Sequence, residues 1–334
     1  MLDRIRPTKI VIPDDYPPLI VDSLALRDLF DYPNLNIRIF DTHPKPPDLL
    51  ERIHDAHIVV LMHPSTAMSG EVIRACRNLQ HIAIWGIAVD NVDFEQTARL
   101  GVVVTHTPRQ YIESVSEHTL ALILALTRRI PELDDRVRNG DWPGSVLTQL
   151  SGKTLGIVGT SLVGRRLAKI CAAIGMDILF TDSYGALNQS PRATKVDNIT
   201  LVDFDELLRR ADVVSLHAER DEIGVIKFDR DTFARMKQTA YFVNTSAARM
   251  VNEDDLAEAL RNETIMGAAL DVFSSEPIER NNPLLELPNA ILTPHIGLNT
   301  KEATESGLRD LVNNITSFLK GKIVNRVDAA PGYS

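Results

Sequence analysis

Short apolar runs alternate along this chain with stretches in which apolar residues recur every three or four positions. Runs such as Ile58–Leu61, Ile82–Trp85 and Val213–Leu216 have the length and β-branched content of buried strands. Up to residue 104 the pattern predicts strand Lys9–Ile12, helix Leu19–Phe30, strand Asn36–Phe40, a short helix from Pro47 and strand Ile58–Leu61. Helix Gly70–Arg77, strand Ile82–Trp85, helix Phe94–Leu100 and strand Val102–Thr105 follow. A long helix is then predicted over Ile112–Arg129, apolar on more than one side, as expected for a helix buried between domains or subunits. Asn139-Gly140 and Trp142-Pro143-Gly144 read as a loop, and so does Ser183–Asn198. Further units run from Asp205–Arg210 to the strand Ala290–Thr293, and a last helix spans about Lys301–Leu319. Strands alternating with helices at this spacing predict parallel, doubly wound sheets. The last helix has no strand after it to start a third domain, so it is expected to return to the first. The expected organisation is a domain of residues 105–296 inserted into a discontinuous one, 1–104 plus 297–334.

One stretch, Lys153 to Asp182, carries chemistry in its pattern. A buried-strand run, Leu155–Val158, leads into the turn Gly159-Thr160-Ser161-Leu162-Val163-Gly164. Leu162, Val163, Leu167, Ile170, Cys171 and Ile174 then keep helical spacing, Gly175 stands at the helix end, and Ile178–Phe180 forms a second strand ending at Asp182. This is the βαβ unit of a dinucleotide-binding fold. The helix start, with the N–H groups of Leu162 and Val163, is an anion site for a pyrophosphate. Gly159 makes the tight turn, and Gly164 lets helix and strand approach. Asp182, 23 residues after Gly159, falls where an acid accepts the ribose hydroxyls and repels the extra phosphate of NADP, so NAD is the expected cofactor. Ser161 replaces the second glycine of the G-x-G-x-x-G fingerprint, and its Cβ is expected to crowd the phosphates.

Composition narrows the partners. The chain has 334 residues, enough for about two domains, with 44% hydrophobic and 24% charged residues. A net charge of -9 argues against nucleic acid or an anionic membrane as the main partner. Cys76 and Cys171 fall in helical patterns as small apolar residues, which gives no disulfide framework and suggests a reducing compartment. The N-terminal residues show no apolar signal region, and the longest apolar run, Leu120–Leu126, is too short to span a bilayer. The expectation is a cytoplasmic protein with no membrane or nucleic-acid partner and no metal site.

Seven blocks carry a resemblance: G-I-A-V-D-N-V-D (Gly86–Asp93), E-S-V-S-E-H-T-L-A-L (Glu113–Leu122), L-S-G-K-T-L-G-I-V-G (Leu150–Gly159), A-D-V-V-S-L-H (Ala211–His217), V-N-T-S (Val243–Ser246), G-A-A-L-D-V-F-S-S-E-P (Gly267–Pro277) and L-T-P-H-I-G (Leu292–Gly297). Over nearly its whole length the chain resembles the D-isomer-specific 2-hydroxyacid dehydrogenases. The resemblance implies a Rossmann NAD-binding domain inserted into a flavodoxin-like substrate domain. It also implies hydride transfer between NAD(H) and a small 2-hydroxy or 2-keto acid of D stereochemistry. His295 matches the family's acid/base, a task that suits an imidazole titrating near neutral pH, and Glu276, 19 residues earlier, matches the carboxylate that holds it. The resemblance further assigns the substrate carboxylate to backbone N–H groups at Ile87 and Ala88. It places Thr119 near the nicotinamide-side phosphate, Asp271 against the nicotinamide carboxamide and His217 beside the cofactor. The long apolar helix resembles the element through which the family forms homodimers.

Several positions depart from the family pattern. The family's catalytic arginine follows N-T-[SA]; here the run is N-T-S-A-A-R-M-V and the position is Ala247. A methyl group cannot replace a bidentate cation, so Arg249, two residues on, is the candidate substitute. Ala88 stands for a usual glycine, Trp85 begins the same loop, Tyr111 stands where asparagine is common, next to Arg109, and the loop after His217 is short and carries Arg220. Two readings follow: a dehydrogenase with a changed substrate, or an NAD-binding regulatory or low-activity homologue.

Overall fold

The computed structural model describes residues 7–16, 18–20, 23–87, 89–181, 199–218 and 226–327. The chain divides into two compact units, Met1–Gln110 with Thr300–Ser334, and Tyr111–Asn299. The expected junctions, after residues 104 and 296, move by a few residues for identifiable reasons. His106 N donates to Asn325 O at 3.1 Å and Thr107 N to Gly86 O at 3.0 Å, which ties this stretch to the first unit. Ile296 N and Gly297 N donate to Asp271, which keeps the end of the insertion with the second.

The first unit is a five-stranded parallel sheet of β1 (Thr8–Ile12), β2 (Leu35–Ile39), β3 (Ile58–Leu61), β4 (His81–Ile84) and β5 (Val103–Thr105), in the order β2-β1-β3-β4-β5. That is the flavodoxin-like order. Every residue of β3 and β4 is buried, because helices cover both faces. On one face α1 (Arg27–Phe30) and α11 (Lys301–Leu319) contribute Leu29, Leu308, Leu311 and Ile315 to a core with Ile10, Ile12, Ile58 and Val60. On the other, α2 (Pro46–Ile53), α3 (Gly70–Ala75) and α4 (Phe94–Leu100) cover Val11, Val59, Leu61 and Ile82 with Leu49, Ile53, Ile73 and the partly buried Phe94. The helix expected over Leu19–Phe30 is confined to α1. Just upstream the Asp15 carboxylate takes the N–H groups of Leu19 and Ile20 instead.

The second unit has seven parallel strands: β6 (Thr154–Val158), β7 (Asp177–Thr181), β8 (Ile199–Leu201), β9 (Val213–Leu216), β10 (Tyr241–Asn244), β11 (Gly267–Leu270) and β12 (Ala290–Leu292). Their order is β12-β11-β10-β9-β6-β7-β8, so the strand order reverses between β6 and β9, the switch point where ligands of doubly wound sheets bind. On one face, α5 (Ile112–Thr127) and α7 (Leu162–Ala173) pack Leu122, Ile123, Leu126, Leu167 and Cys171 over Leu155, Ile157 and Val243. On the other, α8 (Phe204–Arg210), α9 (Arg230–Ala234) and α10 (Glu253–Arg261) pack Leu207, Phe233, Leu256 and Leu260 over Val158, Val214 and Phe242.

Three differences from the sequence pattern stand out. The long helix ends at Thr127; Arg129 takes the left-handed conformation at φ 48°, and a separate α6 (Ile130–Arg138) starts with Pro131 in its first turn. β8 is an extra strand, largely exposed, on the sheet edge. Leu122, Ile123 and Leu126 of α5 are buried inside its own unit, Leu124 stays exposed, and further exposed apolar residues follow at Ile130, Val137, Trp142 and Val146. Among the described residues no helix is long and apolar enough to cross a membrane.

Candidate active site

The parallel pairing of β11 with β12 sets Leu270 beside Leu292, so the loops that follow both strands leave the sheet together. His295 lies in the loop after β12 and Glu276 in the loop after β11. Glu276 Oε2 stands 2.7 Å from His295 Nδ1, and its Oε1 accepts from Phe273 N at 3.0 Å. A carboxylate only accepts, so Nδ1 carries the hydrogen and Nε2 is left for proton exchange. The imidazole is half-exposed, as a group that meets a substrate must be. Its backbone sits at φ 53°, a left-handed conformation that costs an L-residue roughly 1–2 kcal/mol. Asp271 holds the loop: Oδ1 accepts from Thr293 Oγ1 at 2.6 Å and Ile296 N at 3.0 Å, and Oδ2 accepts from Gly297 N at 2.8 Å. His118 Nε2, from α5, stands 3.3 Å from Asp271 Oδ1 and 3.2 Å from Thr293 Oγ1. Burial pushes the Asp271 carboxyl up, but the hydrogen bonds from His118, Thr293, Ile296 and Gly297 outweigh it and hold it at about 2.

The turn after β6 is shaped for close approach. Gly159 has φ 109°, and a Cβ there would lie 2.3 Å from the carbonyl oxygen of His217. A Cβ on Gly164 would lie 2.9 Å from the His217 Cβ and 3.0 Å from Ile157 Cγ2. Ser161, read from sequence as an obstacle, is the N-cap of α7: its Oγ accepts from Gly164 N at 3.2 Å while its own N–H donates to His217 O. Leu162 and Val163 fill the first turn, ahead of the first intrahelical bond from Arg165 N to Ser161 O, so their N–H groups point out of the helix start. His217 is fully buried beneath this turn; its Nε2 pairs with Ser215 Oγ at 2.8 Å, and Nδ1 has no partner among the described residues. Burial lowers its pKa to about 3, so it is a neutral support. Thr119 is also fully buried, its hydroxyl shared between Val115 O and Thr245 Oγ1. A glycine turn that backbone fills, leading into a helix start whose Leu162 and Val163 N–H groups have no partner among the described residues, fits a dinucleotide pyrophosphate.

The family model for the NAD binding domain of D-isomer specific 2-hydroxyacid dehydrogenases matches residues 120–297, which hold this turn and the His295–Glu276 pair. The chain belongs to the D-isomer-specific 2-hydroxyacid dehydrogenases. NAD(H) is the cofactor of this family's matched domain. The dehydrogenase is 34% identical over 289 residues to a glyoxylate reductase of Thermofilum pendens, covering 85% of this chain and 84% of that one. It is 35% identical over 264 residues to a D-3-phosphoglycerate dehydrogenase of Archaeoglobus fulgidus, covering 78% of this chain and 49% of that protein. The chain therefore spans about half the length of the phosphoglycerate dehydrogenase it matches. A solved structure of a Thermus thermophilus protein superposes with a TM-score of 0.80 at 30% identity, over 96% of this chain and all of that one.

In the dehydrogenase, position 247 is tied down and covered. Asn244 Oδ1 accepts from both Ser246 N and Ala247 N, Asn244 Nδ2 donates to Ala247 O, and Ala247 packs into the apolar core. Arg249 lies in the short 3-10 turn Ala248–Met250 and is exposed, with no ion pair among the described residues. In the first unit, Ile87 is exposed in the loop after β4. Thr107 Oγ1 accepts from Gly86 N at 2.6 Å and donates to Gln110 Oε1 at 3.0 Å. Burial lowers the pKa of His106, partly offset by a hydrogen bond to the Ile87 backbone. Ala88, Asp182 and Arg220 lie outside the described residues. Sequence reasoning gave no site role to His118, Thr293 or Thr107, although His118 and Thr293 lie inside the matched blocks Glu113–Leu122 and Leu292–Gly297; their bonds reach distant segments.

Proposed function

We propose that this chain reduces a small 2-keto acid with NADH, and oxidises the corresponding D-2-hydroxy acid, with His295 as acid/base and Glu276 as its orienting carboxylate. The single observation that carries this is the 2.7 Å pair between His295 Nδ1 and Glu276 Oε2. NAD(H), when bound, supplies or takes up the hydride at the C2 carbon. In reduction, His295 gives its Nε2 proton to the oxygen that gains negative charge, and Glu276 stabilises the imidazolium before transfer and keeps the tautomer afterwards. The N–H groups of Leu162 and Val163 take the pyrophosphate at the start of α7, over Gly159, Ser161 and Gly164. Asp182 remains the proposed ribose acceptor and the basis for NAD over NADP. Ile87 and Ala88 are the proposed donors to the substrate carboxylate, and Arg249 the proposed cation in place of the absent arginine. The relatives act on acids as different as glyoxylate and D-3-phosphoglycerate, so the substrate is proposed as a class.

We also propose a homodimer whose contact uses the exposed Ile130, Val137, Trp142 and Val146 rather than the buried face of α5. Two buried free thiols, Cys76 and Cys171, support a reducing, cytoplasmic setting. The test is NADH oxidation followed at the nicotinamide absorbance with glyoxylate, pyruvate and hydroxypyruvate in turn. We expect turnover with at least one acid and a loss of roughly 10²–10⁴ in His295→Ala. Turnover unchanged in His295→Ala removes the proposed mechanism.

A further inference from the structure

Glu276 stands on a loop that the apolar core grips at its two ends. Phe273 and Leu284 are buried in the same cluster, whereas Ser274, Ser275, Glu276 and Pro277 are exposed. Apolar packing therefore leaves this stretch to be fixed by polar bonds. One side chain from outside the loop supplies them on both sides of Glu276. Glu253 Oε1 accepts from Ser274 N at 2.5 Å, and Glu253 Oε2 accepts from Asn282 Nδ2 at 2.6 Å. Two consecutive N–H groups thus serve two carboxylates, since Phe273 N donates to Glu276 Oε1 at 3.0 Å. Asn282 carries the hold onward: its Oδ1 accepts from Leu284 N at 3.0 Å, and its own N–H donates to Glu279 O at 3.0 Å. The base of this brace is rigid. Glu253 opens α10, whose Leu256, Ala257, Ala259 and Leu260 are buried in the core. A carboxylate in the first turn also suits the positive end of a helix, and bonds to an ionised acceptor are roughly twice as strong as neutral ones.

We propose that Glu253 is a positioning residue for Glu276: with Asn282 it braces the loop after β11 from the start of α10, and so sets the Glu276 carboxylate against His295. This rests on the reading of His295 as acid/base. The pair meets at 2.7 Å while Glu276 and His295 stay 38% and 50% exposed, so burial does not hold the two side chains together. A carboxylate that drifts from the imidazole loses two effects at once. The imidazolium that donates the proton is less favoured, and its pKa falls. Nε2 also loses its fixed direction toward the reacting oxygen, and a displacement of about 1 Å can reduce a rate about a hundredfold. Neither effect reaches the turn Gly159–Gly164, so cofactor affinity is independent of the brace.

The test exchanges donor and acceptor across the brace. Glu253→Gln keeps an oxygen for Ser274 N and turns an NH₂ toward the NH₂ of Asn282. Asn282→Asp keeps the oxygen that accepts from Leu284 N and sets a carboxylate against that of Glu253. The two substitutions together restore one donor facing one acceptor. We measure kcat for reduction at saturating NADH across pH, with the keto acid that turns over fastest, and titrate NADH binding by nicotinamide fluorescence without substrate. In each single variant kcat is expected to fall roughly tenfold or more, and the alkaline limb of its pH profile to move about one unit lower, while the Kd for NADH stays within about twofold. The double variant is expected to regain most of the loss, because the two sites couple through one bond. Wild-type kcat and pH profile in Asn282→Asp overturn the proposal, even if Glu253→Gln does not fold. A fall in kcat with the limb unmoved, which the double variant does not recover, overturns it as well. His295→Ala separates the two layers. Full activity there sinks the acid/base reading, whereas an inactive His295→Ala beside a fully active Asn282→Asp sinks only the positioning role.

Discussion

Thr107 grips Gly86 from both sides, its Oγ1 accepting from Gly86 N at 2.6 Å and its N–H donating to Gly86 O at 3.0 Å. The side chain is fully buried, and Gly86 sits at φ 124° immediately before Ile87. With Gly86 N occupied, the donors left for a substrate carboxylate are the next ones along the loop. Thr107→Val removes the acceptor, keeps the shape and leaves a donor unsatisfied, at a cost of about 1–3 kcal/mol. We expect KM for the keto acid to rise roughly tenfold with NADH affinity unchanged. A lower melting temperature with an unaltered KM would mean that this loop does not bind substrate.

Ser161 has a structural task of its own in the turn. Its oxygen caps α7, so Ser161→Ala is expected to lower stability by about 1 kcal/mol, read from the urea midpoint. Ser161→Gly loses only a few tenths of a kcal/mol by the same rule, because glycine is itself tolerated at an N-cap. Equal stability of the alanine variant and the parent would show that the cap contributes nothing.

The cation question is decided at Arg249. Ala247 is packed into apolar surroundings with its backbone bound to Asn244, so a guanidinium placed there starts from a buried site. Arg249 is exposed on the same turn. Arg249→Ala is expected to reduce kcat/KM for the keto acid by roughly 10²–10³, the size of a lost transition-state donor, with little effect on melting. Unchanged steady-state kinetics would leave the low-activity reading as the better account of Ala247.

Two histidines give the fold an acid-sensitive side. His81, which stacks on Phe318 at 4.5 Å, and His217 are both fully buried, and burial lowers each pKa to about 3 from 6.5. Between those values the unfolded chain binds a proton that the folded one refuses. Stability therefore falls as pH drops below about 6.5, by up to about 1.4 kcal/mol per pH unit for each histidine. Asp271, held at about 2, keeps its contribution above 3.8 and loses it only as pH falls further toward 2. Urea unfolding is expected to give a clearly smaller free energy near pH 5 than near pH 7. A flat dependence over that range would contradict the burial of these two rings.

The strands were legible because β-branched runs such as Ile58–Leu61 are buried on both faces and leave an unbroken apolar signature. β8 was not, since an exposed edge strand of three residues has no such signature. α6 was hidden because Arg129-Ile130-Pro131 looks like the end of one helix and is the start of another. In the site, His295 and Glu276 were legible through their sequence motifs, and Gly159 and Gly164 through the turn they make. The bonds that hold the His295 loop were not: Asp271 reaches 22 residues to Thr293, and His118 reaches 175 residues to the same side chain, distances at which no local pattern exists.

The first unit is written in two pieces, with α11 closing a core whose other half lies in β1 and β3. During synthesis, Ile10, Ile12, Ile58 and Val60 emerge long before Leu308, Leu311 and Ile315, and the whole of Tyr111–Asn299 is made in the interval. The second unit therefore has all its strands available while one side of the first sheet still waits for its cover. Domains usually mature on the ribosome from the N-terminus onward. In this chain the first unit can complete that core only after α11 has been made, when the second unit is already fully synthesised.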